Sequence, residues 1–243
     1  MKYMAVIFDV GGTLVRWGGS SLFARFLSHY ARCVSRDQLM EDAALLRQVM
    51  IDTFARHRHA AVGMGATEDT VLAFWHRVLQ ETLQLWQRPG YSAHMLAPLT
   101  HSVVMGHFDA LFQDTVDTLS RLSSAGLRLG VISNWNQNLP HELANWGLDR
   151  FFDFVIVSSL VGVAKPSPEI FRLGLTRASC EPRQALYVGD NVLDDCAGAR
   201  GVGMDAVLIR REGTLQQEEA LCSAVYPSLS ALADTLLGEE ASP

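Results

Sequence analysis

MAVIFDVGGTL, residues Met4 to Leu14, decides how the rest of the chain is read. An apolar run from Met4 to Phe8 leads directly into Asp9, and Gly11, Gly12 and Thr13 follow. A short apolar segment closed by glycines is the pattern of a parallel strand buried on both faces. Asp9 then stands at the strand's carboxyl end, where open α/β sheets form their ligand crevices. Desolvating a carboxylate is costly unless a partner compensates. Asp9 therefore either caps a turn or has a chemical task, and the remaining sequence must decide.

The chain has 243 residues, enough for one large domain or a core with an accessory domain. A hydrophobic content of 49% supports a full core, and the net charge of −6 argues against a general nucleic-acid binder. No apolar run is long enough to span a bilayer, and the N-terminus begins a strand instead of a signal peptide. The expectation is a cytoplasmic protein, monomer or homodimer, engaging neither membrane nor nucleic acid. Cys33, Cys180, Cys196 and Cys222 are scattered without a CxxC pair, so they are expected to be reduced, mostly buried thiols. Of the 20 basic residues only Lys2 and Lys165 are lysines. In so arginine-rich a chain, an interior loop lysine suggests a place where a compact ammonium is wanted.

After Thr13 the pattern turns helical for about 90 residues. Helices are expected over Ser21 to Val34, over Arg36 to Arg58, and from a Thr67 N-cap to a stop at Pro89-Gly90. Val71, Trp75, Val78, Leu79, Thr82, Leu83 and Trp86 form an apolar stripe on the last of these, read as packing. Arg56, His57, Arg58 and His59 form the densest basic run, read as a solvated helix end with a phosphate patch as the alternative. This block reads as a helical insertion without a strand.

From about Gln113, strands and helices alternate. Strands are expected at Leu127 to Ser133, Phe154 to Ser158, Ala185 to Gly189, Asp205 to Ile209 and, weakly, Ala224 to Tyr226. Helices fall between them: Asp114 to Ala125, Leu139 to Trp146, Pro168 to Arg177 with Ser167 as N-cap, Asp194 to Gly201, and Leu229 to Leu237. The fold class is α/β: a Rossmann-like, doubly wound parallel sheet interrupted by an all-helical insertion. The residues after Leu237 are expected to be disordered.

Four polar sites fall at carboxyl ends or just beyond: Asp9, Ser133-Asn134 after LRLGVI, Lys165 in VAKPSPEIF, and Asp190 in ALYVGDNVLDD. A parallel sheet gathers those ends on one edge, so the four can converge across the whole length of the chain. Each alone has a plain structural explanation as a cap or a solvated loop charge. Together, in this order, they point to a site.

In these motifs the sequence resembles the haloacid dehalogenase superfamily, hydrolases with a Rossmann-like core and an inserted cap. The family's DxDGT is matched by DVGGT from Asp9 to Thr13 with one departure. Its second motif is matched by Ser133 with Asn134, its lysine by Lys165 in AKPSPEIF, and its GDxxxxD by Gly189, Asp190 and Asp195. The resemblance implies a core from residues 1–16 and 110–243 and a helical cap from residues 17–109. It also implies a Mg²⁺-dependent phosphatase acting on a small phosphorylated metabolite through an aspartyl-phosphate at Asp9. Asp9, the Gly11 carbonyl, Asp190 and Asp195 would serve the metal. Gly12, Thr13, Ser133, Asn134 and Lys165 would hold the phosphoryl group. Lys165 would also restrain Asp9. These residue types suit the task, because Mg²⁺ favours oxygen ligands and phosphoryl transfer depends on positioning and charge compensation.

The departure is Gly11, which stands where the family's phosphatases carry the carboxyl that protonates the leaving group and activates water. A positioned acid/base contributes about 10²–10⁴-fold. Three readings stay open: a slow or narrow phosphatase, a metal-independent 2-haloacid dehalogenase, and a module that binds a phosphorylated ligand without turnover. The intact Gly189-Asp190 pair counts against dehalogenation. A Schiff-base mechanism would need a lysine in the insertion, which has none.

Overall fold

The computed structural model describes residues 2–16, 36–57, 68–87, 111–211 and 220–238. Six strands form one all-parallel sheet: β1 Ala5–Phe8, β2 Arg128–Ser133, β3 Phe154–Val157, β4 Ala185–Gly189, β5 Asp205–Ile209 and β6 Ala224–Tyr226. Their order is β3-β2-β1-β4-β5-β6, so the chain starts in the middle and winds outward to both sides. This reversal of direction between β2 and β4 opens a crevice at the end of β1. The pairing register sets Phe8 opposite Val131 of β2 and Val188 of β4, which brings the polar residues that follow each strand to the same edge.

Strand β1 is fully buried, and its alternation divides the core in two. Val6 and Phe8 face a layer with Leu119 and Leu122 of α3 (Thr115–Ser124), Leu139 and Leu143 of α4 (Leu139–Asn145), and Leu229 and Leu232 of α6 (Leu229–Leu237). Ile7 faces the other way, toward Ile170, Phe171 and Leu175 of α5 (Pro168–Ala178) together with Tyr187 and Leu208. Burial on both faces is what the unbroken apolar run demanded.

Between β1 and β2, α1 (Arg36–His57) and α2 (Glu68–Trp86) pack against each other, and no strand occurs among the described residues of 17–109. The stripe of α2 is buried as expected at Val78, Leu79, Thr82, Leu83 and Trp86. Trp75 is half-buried, and Phe74 takes a buried place that the stripe did not include. The Trp86 indole donates to the Asp42 carbonyl at 3.0 Å. At the end of α1, Arg56 is exposed and His57 half-buried, in keeping with a solvated helix end, and both bind Glu81 of α2, which holds the Glu81 carboxyl below its usual range. The expected Ser21–Val34 helix, the Thr67 cap, Pro89-Gly90, Arg58, His59, Cys33 and the chain beyond Gly238 lie outside the described residues.

Four expectations are corrected. Strand β3 stops at Val157, because Ser158 begins a helical turn (Ser158–Val161) in which its buried hydroxyl accepts from the Trp135 N–H at 3.1 Å. Ser167 stands at the N-cap of α5, but its side chain makes no capping bond. The helix expected from Asp194 begins earlier as a π-helical turn, Val192–Ala197, capped by the Asn191 side chain. Finally, Cys196 and Cys222 are bonded to each other, while Cys180 is a half-buried thiol. The pairing of β6 beside β5 brings these two cysteines together across 26 residues, a juxtaposition with no trace in linear spacing.

Candidate active site

Asp9 follows directly on β1, and only 6% of its surface is exposed. Two donors converge on its Oδ1: Ser133 Oγ at 3.0 Å, from the last residue of β2, and Lys165 Nζ at 2.6 Å, from the loop after β3. Thus the first three of the four motifs meet on one oxygen atom. Loss of solvation, opposed by Lys165 and reinforced by Asp195, holds the Asp9 carboxyl above its ordinary range.

Lys165 is almost fully buried and lies between two carboxylates, its Nζ also 2.6 Å from Asp195 Oδ1. The Tyr187 ring sits beneath it, 5.6 Å from Nζ to the centroid. Burial by itself would lower the pKa of this ammonium. The Asp195 and Asp9 charges outweigh that effect and carry it well above the ordinary lysine value. The geometry therefore favours the charged form of Lys165, held between the two carboxylates.

The loop that carries Lys165 is held by Asn134. The Asn134 side-chain amide donates to the Lys165 carbonyl at 3.0 Å, and its oxygen accepts from the Lys165 N–H at 2.8 Å. The family resemblance gives Asn134 a place beside the phosphoryl group and says nothing of this side-chain role. An amide that both donates and accepts at adjacent positions suits a peptide group, but the partner 31 residues away could not be inferred from spacing.

After β4, Asp190 and Asn191 turn back over Asp195. Asp195 Oδ2 accepts from both of their N–H groups, at 3.1 and 2.9 Å. Asn191 Oδ1 in turn accepts from Leu193 and Asp194. The π turn, in which both Asp195 and Cys196 donate to the Asn191 carbonyl, carries one residue more than an α turn, and it is Asp195 that faces the cluster. Gly189 is required here, since a Cβ at that position would overlap the Asp195 carboxylate.

Asp9, Asp190 and Asp195 each offer a carboxylate oxygen, all within 4.8 Å of one another. Asp190 is half-buried at the rim, and loss of solvation with the Asp9 and Asp195 charges pushes its pKa well above the usual carboxylate value. Three carboxylates thus share one ammonium, an excess of negative charge on hard oxygen donors that suits a divalent cation. Both oxygens of Asp195 already accept from N–H donors, which fits it to hold Lys165 and the Asp190 loop in place.

Gly11, Gly12 and Thr13 form the turn beyond Asp9. Gly11 bridges to Val15, and Gly12, at φ +83°, donates to the Val15 carbonyl at 2.8 Å. Thr13 is fully buried and its hydroxyl makes no hydrogen bond. With Gly at position 11, the turn contributes no carboxyl after Asp9.

Comparison with known proteins bears on the family of the chain. The family model for haloacid dehalogenase-like hydrolases matches residues 3–203. A glyceraldehyde 3-phosphate phosphatase of Methanothermobacter thermautotrophicus is 31% identical over 214 residues, covering 86% of this chain and 87% of the relative. The haloacid dehalogenase-like hydrolase domain-containing protein 3 of Mus musculus is 40% identical over 130 residues, so that match spans about half of either protein, 52% of each. A solved dehalogenase structure superposes with a TM-score of 0.69 at 23% identity, covering 98% of both chains, a likeness that speaks to the fold alone. The match across nearly the whole chain, on a sheet that brings the four motifs to one edge, leads to one conclusion: the chain belongs to the haloacid dehalogenase-like hydrolases.

Proposed function

We propose that the protein is a Mg²⁺-dependent phosphatase that hydrolyses a small phosphate monoester through an aspartyl-phosphate on Asp9. The observation that carries this reading is the convergence of Ser133 and Lys165 on Asp9 Oδ1, beside two further carboxylates. Asp9 Oδ2 is then the oxygen that attacks phosphorus. The P–O bond to the alcohol breaks, its electron pair leaves on the alcohol oxygen, and water later cleaves the acyl phosphate to regenerate Asp9 and release inorganic phosphate. Lys165 balances charge on the phosphoryl oxygens and prevents Asp9 from turning away. Ser133 and the Asn134 N–H hold those oxygens, whereas the Gly12 and Thr13 N–H groups, expected to join them, are already spent on the Val15 and Val10 carbonyls.

The donor set fits Mg²⁺, with Asp9, the Gly11 carbonyl and Asp190 as ligands and Asp195 shaping the loop behind them. When bound, the ion would screen the nucleophile from the substrate's negative charge and align the phosphoryl group. Two relatives named glyceraldehyde 3-phosphate phosphatase, from Methanothermobacter and Methanopyrus, support a small phosphorylated substrate. Residues 17–109 serve as a cap that supplies substrate selectivity. No helix among the described residues is long and apolar enough to cross a membrane. We place the reaction in the cytoplasm, on a freely diffusing metabolite.

Gly11 favours a second reading, because without the usual carboxyl a relative can bind without turnover or run metal-free dehalogenation. One screen separates the three: phosphorylated metabolites, p-nitrophenyl phosphate and 2-chloropropionate, each with and without Mg²⁺. Phosphate release that needs the metal supports the proposal. Metal-free chloride release replaces it with a dehalogenase, and binding without release replaces it with a sensor.

A further inference from the structure

The geometry points to Arg211, outside all four motifs, as a positioning residue for the nucleophile loop, acting through the Thr13 carbonyl. The inference rests on the proposed reaction at Asp9 only for its kinetic consequence. Arg211 lies just beyond β5, and its guanidinium meets three residues on two segments of the chain. Nη2 donates to the Thr13 carbonyl at 3.2 Å, at the far end of the loop that begins with Asp9. The same group pairs with Asp114, Nη2 to Oδ1 at 2.9 Å and Nη1 to Oδ2 at 3.1 Å. Its plane lies on the Phe112 ring, 3.7 Å from Cζ to the centroid.

These partners are the two passes of chain that leave and re-enter the core. Val15 and Leu111 form an antiparallel bridge, Phe112 donates to the Leu14 carbonyl at 3.2 Å, and Thr115 Oγ1 donates to that carbonyl at 2.7 Å. Asp114 is itself anchored: its Oδ2 accepts from the Leu229 N–H at 2.8 Å, at the start of α6. Arg211 therefore transmits a rigid frame, α3 and α6 of the core, to the one carbonyl at the end of the Asp9–Thr13 turn. A planar fork with several donors can satisfy a carboxylate and a carbonyl while stacking on a ring, and a lysine cannot do all three. The cost of losing it falls on the loop: the Gly12 and Leu14 hydrogen bonds that shape the turn lose their outer support.

The test compares wild type, Arg211→Met, Arg211→Lys and Asp114→Asn as full-length proteins. Hydrogen exchange read by mass spectrometry reports on residues 10–15, with α5 as the internal reference. Phosphate release from p-nitrophenyl phosphate with Mg²⁺ reports kcat and KM. Expected for Arg211→Met is exchange at 10–15 faster by about tenfold, with α5 unchanged, and kcat lower by about tenfold at nearly constant KM. Arg211→Lys should fall between Met and wild type, and Asp114→Asn should affect kcat less than Arg211→Met, because the Thr13 bond remains. Unchanged exchange at 10–15, or a change spread equally over α5, overturns the inference. Should the wild type release no phosphate at all, the proposed reaction fails, and the exchange measurement still decides the role of Arg211.

Discussion

Replacing Lys165 by Met removes the one cation that the described residues place between Asp9 and Asp195 while keeping the length of the side chain. Lys165 is 3% exposed, so water cannot take its place without a rearrangement. Breaking a buried ion pair by deleting one partner costs about 3–5 kcal/mol, because the remaining charges are stranded. Two carboxylates are stranded here, with Asp190 nearby, so the cost should lie at the upper end of that range. The pH dependence follows from the direction of the shifts. Asp9 already titrates above its ordinary value, and without the ammonium it must rise further. A carboxyl with a raised folded-state pKa leaves stability intact below the unfolded-state pKa and erodes it as pH climbs through the folded-state value. The deficit of Lys165→Met should therefore be smaller at pH 4.5 than at pH 7.5. Urea melts followed by circular dichroism, in chelator at pH 4.5 and 7.5, measure it. Added Mg²⁺ should recover part of the loss at pH 7.5, while kcat falls by about 10²–10³-fold or more. Coincident melts at pH 7.5, or a kcat within twofold of wild type, would refute the account of Lys165.

Three further outcomes are expected. Asp9→Asn should lower p-nitrophenyl phosphate hydrolysis by about 10⁴-fold or more without abolishing the fold, as single-turnover phosphate release and circular dichroism would show. Gly11→Asp should raise turnover of alkyl phosphates by about 10²-fold while changing aryl phosphates less, since a nitrophenolate leaves without a proton; a loss of activity with folding intact would assign Gly11 to backbone geometry instead. Glu142 of α4, buried against Trp135, has its carboxyl pushed up to about 7 by loss of solvation. Its contribution to stability is present below the unfolded-state pKa and lost as pH rises through about 7. Glu142→Gln should thus match wild type in urea melts at pH 4 and exceed it by about 1–2 kcal/mol at pH 8.5.

The framework was legible because its signals are local. The run into Asp9 could bury two faces only as a central parallel strand, and β4, β5 and β6 lie where their apolar runs ended. Glycine and capping signals placed the core helices to within a residue or two. Asp9, Ser133, Lys165 and Asp190 could be selected because strand ends in a parallel sheet share an edge. What stayed hidden were the contacts that lock the site. Asn134 grips the Lys165 peptide, Asn191 caps a π turn, Ser158 holds Trp135, and Arg211 reaches Thr13. Each is a polar side chain meeting main chain or a distant partner, and such a residue reads in sequence as an ordinary loop or cap.

The Cys196–Cys222 bond belongs to the same class. Sequence alone determined the parallel sheet and the four polar residues that its strand ends bring to one edge, because periodicity and strand-end position follow from backbone geometry. Tertiary structure alone decided that Asp195 meets Lys165, that Asn134 grips the Lys165 peptide, and that Arg211 reaches the Thr13 carbonyl. The reason is physical: hydrogen-bond direction and the extra residue of a π turn are set by how segments pack, and spacing along the chain does not encode them.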